Sequence, residues 1–209
     1  MSHCHDEHHS HSHDHDHIPD DAGAKDNLYG RIDREHVSCL NEAVPGSGKK
    51  VIKPWHERMD NEQFVESDSD EQLIFFIPFT GNVKLRSICI RAGPGEAAPS
   101  KMKAFINRED VDFDVADTYD PVQEWELVQN TDEVAEYPTR LTKFTSVRNL
   151  TLYFPENFGA DATRVLFIGL RGEWSEIKKD PIITIYEAQA NPADHKTPAG
   201  EDRMHRAID

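Results

Sequence analysis

From Gln72 onward, the chain consists of short apolar runs separated by polar loops. Within several runs apolar and polar side chains alternate, which is the period of a half-buried β-strand. The loops are rich in Pro, Gly, Asp and Asn, and none carries the helical pattern of about 10–15 residues that a βαβ unit needs. The pattern therefore predicts an all-β fold, an antiparallel β-sandwich of the jelly-roll type. Its strands are expected at 73–78, 83–91, 101–106, 124–128, 147–154, 164–170 and 182–188.

Three of these runs carry further detail. In 83–91 the alternation slips near Ser87, which is what a β-bulge produces. The run 147–154 places Leu150, Leu152 and Phe154 on one face. The run 164–170 is expected to end at Gly169 or Leu170, before a loop punctuated by glycine.

The region before residue 72 is less regular. Apolar residues at helical spacing predict a short helix over 32–40, with acidic residues in its first turn. The Pro- and Gly-rich segment 45–50 is typical of a flexible loop. Residues 51–55 are expected to form an edge segment, because Pro54 cannot donate a backbone hydrogen bond to a ladder.

Both ends of the chain differ in composition from this middle part. Residues 1–27 hold eight of the twelve histidines, alternating with Asp and Ser, and almost no apolar side chain. Such a segment cannot offset its ordering entropy, so a disordered His- and Asp-rich tail is expected. Residues 193–209 are expected to form a loosely ordered tail. The folded domain then spans 28–192.

The histidine-rich tail suggests metal binding. Alternating imidazoles lie along an extended chain and suit Zn²⁺, Cu²⁺ or Ni²⁺. The interleaved aspartates favour protonated imidazoles, which opposes metal binding. A solubilising tail is the alternative. The candidate ligands are His9, His11, His13, His15 and His17.

The net charge of −16 argues against direct binding to nucleic acid or to an anionic membrane surface. No apolar stretch approaches the roughly 18–20 residues of a membrane span, and no secretory signal is visible. The three cysteines, Cys4, Cys39 and Cys89, form no disulfide framework. Reduced thiols in the cytosol or nucleus are expected, with Cys89 a small buried apolar residue.

Catalytic signatures are missing from the sequence. It has no G-x-S-x-G, H-E-x-x-H, P-loop or G-x-G-x-x-G pattern, so neither an enzyme nor a cofactor is expected. The acidic run 66–71 is either part of a calcium site or a solvated loop that keeps the next strand soluble. Ser67 and Ser69 within it are candidate phosphorylation sites.

The segment 167–174 is the most informative part of the domain. Arg and Trp side chains often dominate protein-binding surfaces, so Arg171, Glu173 and Trp174 are candidates for partner contacts. In the alternative interpretation, Trp174 caps the core and Arg171 pairs with a nearby carboxylate such as Glu173.

Several blocks of the sequence resemble the PITH domain, the proteasome-interacting thioredoxin domain. They are FVESDSDEQL, IPFTGNVKL, NFGADATRV, FIGLRGEW and EAQANPADH, at 64–73, 77–85, 157–165, 167–174 and 187–195. The resemblance implies a galactose-binding-like jelly roll that associates with the 26S proteasome regulatory particle in cytosol and nucleus. It does not imply redox catalysis, because no CGPC-type motif precedes the domain and a stand-alone PITH domain is expected.

The expected function is therefore that of a monomeric, non-catalytic protein-binding module. A regulator of gene expression that acts through other protein partners is an alternative. A sugar- or metal-binding jelly roll is another, since this architecture hosts both kinds of site.

Overall fold

The computed structural model describes residues 26–129 and 133–176. The predictions for the histidine-rich tail up to residue 25, the strand 182–188 and the tail 193–209 lie outside the described residues. No helix in the described ranges is long and apolar enough to cross a membrane.

Eight strands and two short helices make up the described part of the chain. Every strand pairing is antiparallel. The strands are β1 (Ser38–Leu40), β2 (Val65–Glu66), β3 (Leu73–Ala92), β4 (Lys101–Ile106), β5 (Gln123–Glu126), β6 (Ala135–Pro138), β7 (Val147–Phe154) and β8 (Arg164–Ser175), and the helices are α1 (Ser47–Lys50) and α2 (Phe113–Thr118). Single 3₁₀ turns occur at Tyr29–Arg31, Trp55–Glu57 and Gly95–Ala97.

The 20-residue strand β3 belongs to two sheets. Its first part, 73–78, pairs with β1 and β7, and its second part, 82–92, pairs with β8 and β6. The pairing with β7 shifts register between Pro78 and Val83, where the strand passes from one sheet to the other. The first sheet therefore has the order β1-β3-β7-β4-β5, and the second has the order β6-β3-β8-β2.

The core lies between these two sheets. Alternate residues of β3, among them Phe75, Ile77, Leu85 and Ile88, point into it and are fully buried. Side chains of β4 and β7 meet them from the first sheet and side chains of β8 from the second. The predicted fold class, an antiparallel jelly-roll β-sandwich, is confirmed.

Two details of the strand pattern are also confirmed. The pairing of β3 with β8 shifts register between Leu85 and Ser87, where the alternation slips. Leu150, Leu152 and Phe154 all lie in the core. The opposite face of β7 is buried too, because α2 and the residues before it pack over Tyr153 in a smaller second cluster.

The predicted helix over 32–40 is wrong. Residues 33–35 form a turn, and 38–40 form β1, which pairs with Ile74–Phe76 of β3. Pairing with a neighbouring strand outweighs a weak local preference for helix. The segment 45–50 is not simply a loop, since its last four residues form α1. The Glu42 carboxylate accepts hydrogen bonds from the backbone N–H groups of Gly46 and Gly48 at its start.

The predicted end of the sixth strand is also wrong. Strand β8 continues through Leu170 to Ser175, so Arg171 and Trp174 lie on a strand and not in a loop. Gly172 permits this continuation, because a Cβ there would lie 2.3 Å from the Lys84 carbonyl oxygen of β3. A glycine within a strand often marks such a close approach of two backbones.

The position of the shared strand leads to a stability prediction. The Phe75 ring is fully buried on β3 and packs edge-to-face on Phe154, with 5.8 Å between ring centroids. Phe75→Ala should lower the free energy of unfolding by about 3–5 kcal/mol, measured by urea denaturation. The control Leu141→Ala, at a side chain that is 47% exposed, should change it by less than about 0.5 kcal/mol. A similar effect of both variants would contradict this placement of the core.

Candidate functional site on the second sheet

The residues predicted to contact a partner lie on both faces of β8. Arg171 and Glu173 point to the outer face of the second sheet, where their partners are side chains of β6 and β3. Trp174 points the other way and packs on the main core cluster. The three side chains therefore do not form one surface, because successive residues of a strand face opposite sides.

Trp174 closes one end of the core. Its ring is partly buried, and the Arg31 guanidinium lies over it at 4.1 Å from the ring centroid. Gly81 leaves the space for the indole, since a Cβ there would lie 2.4 Å from Nε1. The alternative interpretation, in which Trp174 caps the core, describes this position.

Arg171 is held by two kinds of contact on the outer face. Its Nη1 donates to Oε2 of Glu136 at 3.2 Å, and its guanidinium lies 4.5 Å from the ring centroid of Trp55. Glu136 accepts a second hydrogen bond, from the Ser87 hydroxyl at 2.5 Å. Arg171 thus pairs with a carboxylate, as the alternative interpretation expects, but that carboxylate is Glu136 and not Glu173, which pairs with Arg86.

Trp55 is the central side chain of this face. Its ring packs edge-on against Phe167, with 6.0 Å between centroids. The Arg58 guanidinium lies 4.9 Å from the same ring and donates to the Trp55 carbonyl at 3.0 Å. Trp55 thus contacts two guanidinium groups, those of Arg58 and Arg171. We call Trp55, Arg58, Glu136, Arg171 and Glu173 the tryptophan face.

Trp55 is a functional candidate that the sequence pattern did not indicate. It lies in the predicted edge segment 51–55, and its contact with Arg171 joins residues far apart in the chain. The available signal was the pair Pro54-Trp55, because Pro cannot extend a ladder and directs the chain out of the sheet.

Two buried cations fix the loop that carries Trp55. The Lys53 ammonium, 4% exposed, donates to the carbonyls of Asp60 and Gln63 at 3.1 and 2.8 Å, and pairs with the Asp60 carboxylate at 3.0 Å. Arg91 of β3 is also buried, and its Nη2 donates to the Asn61 side chain at 2.5 Å. The loop is therefore attached to the sheet by hydrogen bonds that a buried charge requires.

The first sheet carries an outer-face cavity of about 690 Å³. Its walls include Phe76, Arg148 and Asn149. The Asn149 side chain is 8% exposed, and its Oδ1 accepts no hydrogen bond from any described residue. Arg148 is exposed and forms no ion pair with a described carboxylate. A buried carbonyl oxygen without a partner leaves a hydrogen bond that a water molecule or a polar ligand can supply.

The acidic side chains of the run 66–71 have separate partners and do not converge on one site. Glu66 pairs with Arg164, and the Asp70 carboxylate accepts from the Asn41 amide at 2.8 Å. Residues 26–129 and 133–176 contain no group of three or more His, Cys, Asp or Glu side chains that could hold a metal ion. The candidate ligands of the tail, His9 to His17, lie outside the described residues.

The two serines of this run differ in accessibility. Ser67 is 3% exposed, and its hydroxyl accepts a hydrogen bond from the Thr163 N–H at 2.8 Å. The folded domain therefore shields this hydroxyl, which argues against its phosphorylation in the folded state. Ser69 is exposed, so its phosphorylation stays a prediction.

The two described cysteines are poor nucleophiles. Burial, together with the nearby Glu136 carboxylate, raises the pKa of Cys89 to about 12. Burial also raises the pKa of Cys39, with a further contribution from Glu42. A thiol reacts as its thiolate, so neither group is activated at neutral pH.

Known proteins match this chain in the same family that its sequence blocks resemble. The PITH domain family matches residues 19–190. PITH domain-containing protein 1 of Homo sapiens is 46% identical over 179 residues, which are 85% of this chain and 84% of the relative. The chain belongs to the PITH domain family. A family member from Drosophila melanogaster is 44% identical over 212 residues, and the alignment covers 100% of both chains. One from Dictyostelium discoideum is 39% identical over 198 residues, 94% of this chain and 95% of the relative.

Solved structures show the same fold at low identity. The CBM32-1 and CBM32-2 domains of Clostridium perfringens ZmpB match with a TM-score of 0.53 at 13% identity, over 74% of this chain and 38% of that one. The family 32 CBM of C. perfringens NanJ, solved in complex with galactose, matches with a TM-score of 0.51 at 10% identity, over 69% and 97%. The PITH domain here thus shares the jelly-roll fold of these structures.

The contacts of Asp60 predict how the loop responds to acid. The Glu62 N–H, followed by the Lys53 ammonium, holds the pKa of Asp60 below its usual 3.8. A lowered folded pKa gives stability that is complete above the usual value and is lost as the pH falls through the lower one. Wild type should therefore exceed Asp60→Asn in unfolding free energy at neutral pH, and the two should converge below about pH 4.

Chemical denaturation at a series of pH values measures this difference. Asp161→Asn, at an exposed carboxylate, controls for the loss of one negative charge. If the unfolding free energies of wild type and Asp60→Asn change with pH in parallel, the carboxylate does not hold the loop.

Proposed function

We propose that this PITH domain is a non-catalytic protein-binding module of the cytosol and nucleus. It docks, as a monomer, on the 26S proteasome regulatory particle through the tryptophan face. The observation that carries the proposal is the contact of Trp55 with the guanidinium groups of Arg58 and Arg171 on the outer face of a sheet. Trp and Arg are the side chains that most often supply the binding energy of a protein interface.

Preorganisation supports this choice of surface. Trp55 packs on Phe167, Arg171 is bonded to Glu136, and the loop that carries Trp55 is fixed by Lys53 and Arg91. Side chains that are already held in place lose little further entropy when a partner binds. The face therefore suits rigid docking better than the exposed single apolar side chains elsewhere on the domain.

Charge supports a partner with a basic patch. The chain carries 39 acidic and 23 basic residues, so the charge that favours a basic partner is that of the whole chain. At the tryptophan face itself Glu136 and Glu173 are each paired with an arginine. Opposite charge on a partner mainly raises the association rate and aligns the two surfaces. The raised pKa values of both described thiols and the lack of catalytic motifs favour a binding role over an enzymatic one.

The test is affinity capture of the regulatory particle from cell lysate by the full-length chain. Trp55→Ala/Arg171→Ala should reduce recovery of regulatory-particle subunits about tenfold or more, because interface hot spots cost at least about 2 kcal/mol each. Arg171→Lys keeps the charge but loses the planar stacking, so it should also weaken capture.

A matched pair elsewhere provides the control. Arg108 lies over the Tyr119 ring at 4.4 Å, so Arg108→Ala/Tyr119→Ala removes a similar arginine–aromatic contact away from the second sheet. Equal recovery by both double variants, with unchanged melting temperature, would contradict docking through the tryptophan face. Capture of other nuclear regulators in place of the proteasome would favour the alternative, a regulator of gene expression.

A second candidate function is the binding of a small polar ligand, such as a sugar, in the cavity of the first sheet. The buried Asn149 Oδ1, which accepts no hydrogen bond from a described residue, is the observation that favours it. The cavity combines this oxygen and the exposed Arg148 guanidinium with the apolar surface of Phe76. Such a mixture of hydrogen-bonding groups and an aromatic side chain suits a polyhydroxylated ligand.

Thermal unfolding with galactose and N-acetylgalactosamine tests the cavity. A ligand at about 100 times its dissociation constant should stabilise the domain by about 2.7 kcal/mol. Arg148→Ala should abolish the shift, whereas Arg140→Ala, at an exposed arginine that does not line the cavity, should keep it. A shift that survives Arg148→Ala would place the ligand elsewhere. Metal binding by the histidine-rich tail stays a prediction, and a Zn²⁺ arm of the same experiment addresses it.

A further inference from the structure

A cleft of about 370 Å³ lies along the edge of the second sheet, beyond β8. At this edge the Leu28 N–H donates to the Leu170 carbonyl, and the Ile168 N–H donates to the Val51 carbonyl, each at 2.9 Å. Residues next to these two contacts form the walls of the cleft. The ones that matter here are Tyr29, Arg34, Lys49, Lys50, Ile52 and Pro54.

Three exposed cations converge on the cleft. Arg34 lies over the Tyr29 ring at 4.8 Å, and its Nη1 is 2.7 Å from the Tyr29 hydroxyl. Lys49 and Lys50 come from the last turn of α1, and the Lys49 ammonium donates to the Glu35 carbonyl at 2.8 Å. These contacts hold two of the three cations without neutralising either.

None of the three cations has a carboxylate within ion-pair distance among the described residues. Elsewhere on the surface Lys101, Arg108 and Arg164 each pair with an acidic side chain, whereas Arg148 pairs with none that the structure describes. What distinguishes the cleft is that three such cations line one concave surface. Acidic residues outnumber basic ones by 39 to 23, so partners are available in excess. A single carboxylate lines the cleft, that of Glu57, and it faces His56 at 3.3 Å. The cleft is thus a locally basic concave surface on an acidic protein.

The walls also offer apolar surface. Tyr29 and Pro54 are partly exposed, and Ile52 is buried beneath them. Pro54 directly precedes Trp55, so the cleft adjoins the tryptophan face along the chain. A ligand of this cleft would therefore place anionic groups on the cations and an apolar group against Tyr29 and Pro54.

We propose that the cleft binds a short acidic segment of a protein partner, with Asp or Glu carboxylates on Arg34, Lys49 and Lys50 and one apolar side chain against Tyr29 and Pro54. The inference rests on the proposed role as a protein-binding module and adds the chemistry of one contact. The tryptophan face then meets a basic patch of the partner, and the cleft meets an acidic segment beside it.

Electrostatics favours a short peptide over a nucleic acid. A long polyanion would extend beyond the cleft over a chain with a net charge of −16. A short segment is governed by nearby charges, because the screening length at physiological salt is about 8 Å. Inorganic phosphate would use the cations but not the apolar wall, so the peptide matches more of the surface.

The test measures fluorescence anisotropy of a labelled acidic probe peptide, Asp-Glu-Asp-Phe-Glu-Asp-Glu, titrated with the full-length chain. Wild type should bind it, and Lys49→Glu/Lys50→Glu should weaken binding by about tenfold or more, which corresponds to about 1.4 kcal/mol. Binding should weaken as salt is added, because exposed charges are screened. Replacement of the central Phe by Ser in the peptide should also weaken it.

Arg140→Glu/Lys143→Glu is the matched control. It makes the same change in charge at exposed residues outside the cleft, and the Lys143 ammonium donates to the Val122 carbonyl at 3.1 Å, as Lys49 does to Glu35. This control should bind the peptide nearly as wild type does. Circular dichroism of both double variants shows whether the fold is kept, and Arg34→Ala gives a second, milder variant.

Three results would overturn the proposal. They are no binding of the peptide by wild type, equal loss in the control, and phosphate that competes as well as the peptide does. Capture of the regulatory particle and binding of the peptide, both measured on wild type, separate the two proposals. If capture of the regulatory particle fails in wild type while the peptide binds at the cleft, the docking proposal is wrong and the cleft stands. If capture succeeds but the peptide does not bind, the cleft proposal alone is wrong.

Discussion

The structure depends on one constraint, the sharing of strand β3 between both sheets. A strand that passes from one sheet to the other must place its apolar side chains in the common core along its whole length. Phe75 and Ile77 do so before the crossing and Leu85 and Ile88 after it. The register shifts within β3 let the alternation continue toward the same core. Four strands pair directly with β3: β1, β6, β7 and β8. Strand β4 pairs with β7, β5 with β4, and β2 with β8.

The outer faces of the two sheets are covered in physically different ways. On the first sheet, α2 and its flanking residues pack apolar side chains over Tyr153, which is ordinary hydrophobic burial. On the second sheet, the loop that carries Trp55 is attached through the buried charges of Lys53 and Arg91. Buried charges require specific hydrogen bonds, so this loop has one defined geometry. A purely apolar cover would tolerate several different arrangements of the loop. A surface that must recognise a partner benefits from that definition.

Charged groups are also distributed unevenly over the surface. The chain is strongly acidic, yet two guanidinium groups lie over Trp55, and three cations without an ion pair among the described residues line the edge cleft. An acidic body with one aromatic face and one basic cleft can present two different chemistries to a partner. The jelly-roll fold itself does not specify either, because unrelated functions use the same sandwich.

The sequence by itself determined the fold class, the strands at 101–106 and 147–154, the bulge at Ser87 and the family. These features are written in local alternation and in short blocks of sequence, so they need no knowledge of distant neighbours. Tertiary structure alone decided that 38–40 form a strand, since the hydrogen bonds come from β3. It also decided that Glu136, and not Glu173, pairs with Arg171, and that Trp55 lies over that guanidinium. Such contacts join residues that are far apart in the chain, and only the pairing of strands brings them within bonding distance.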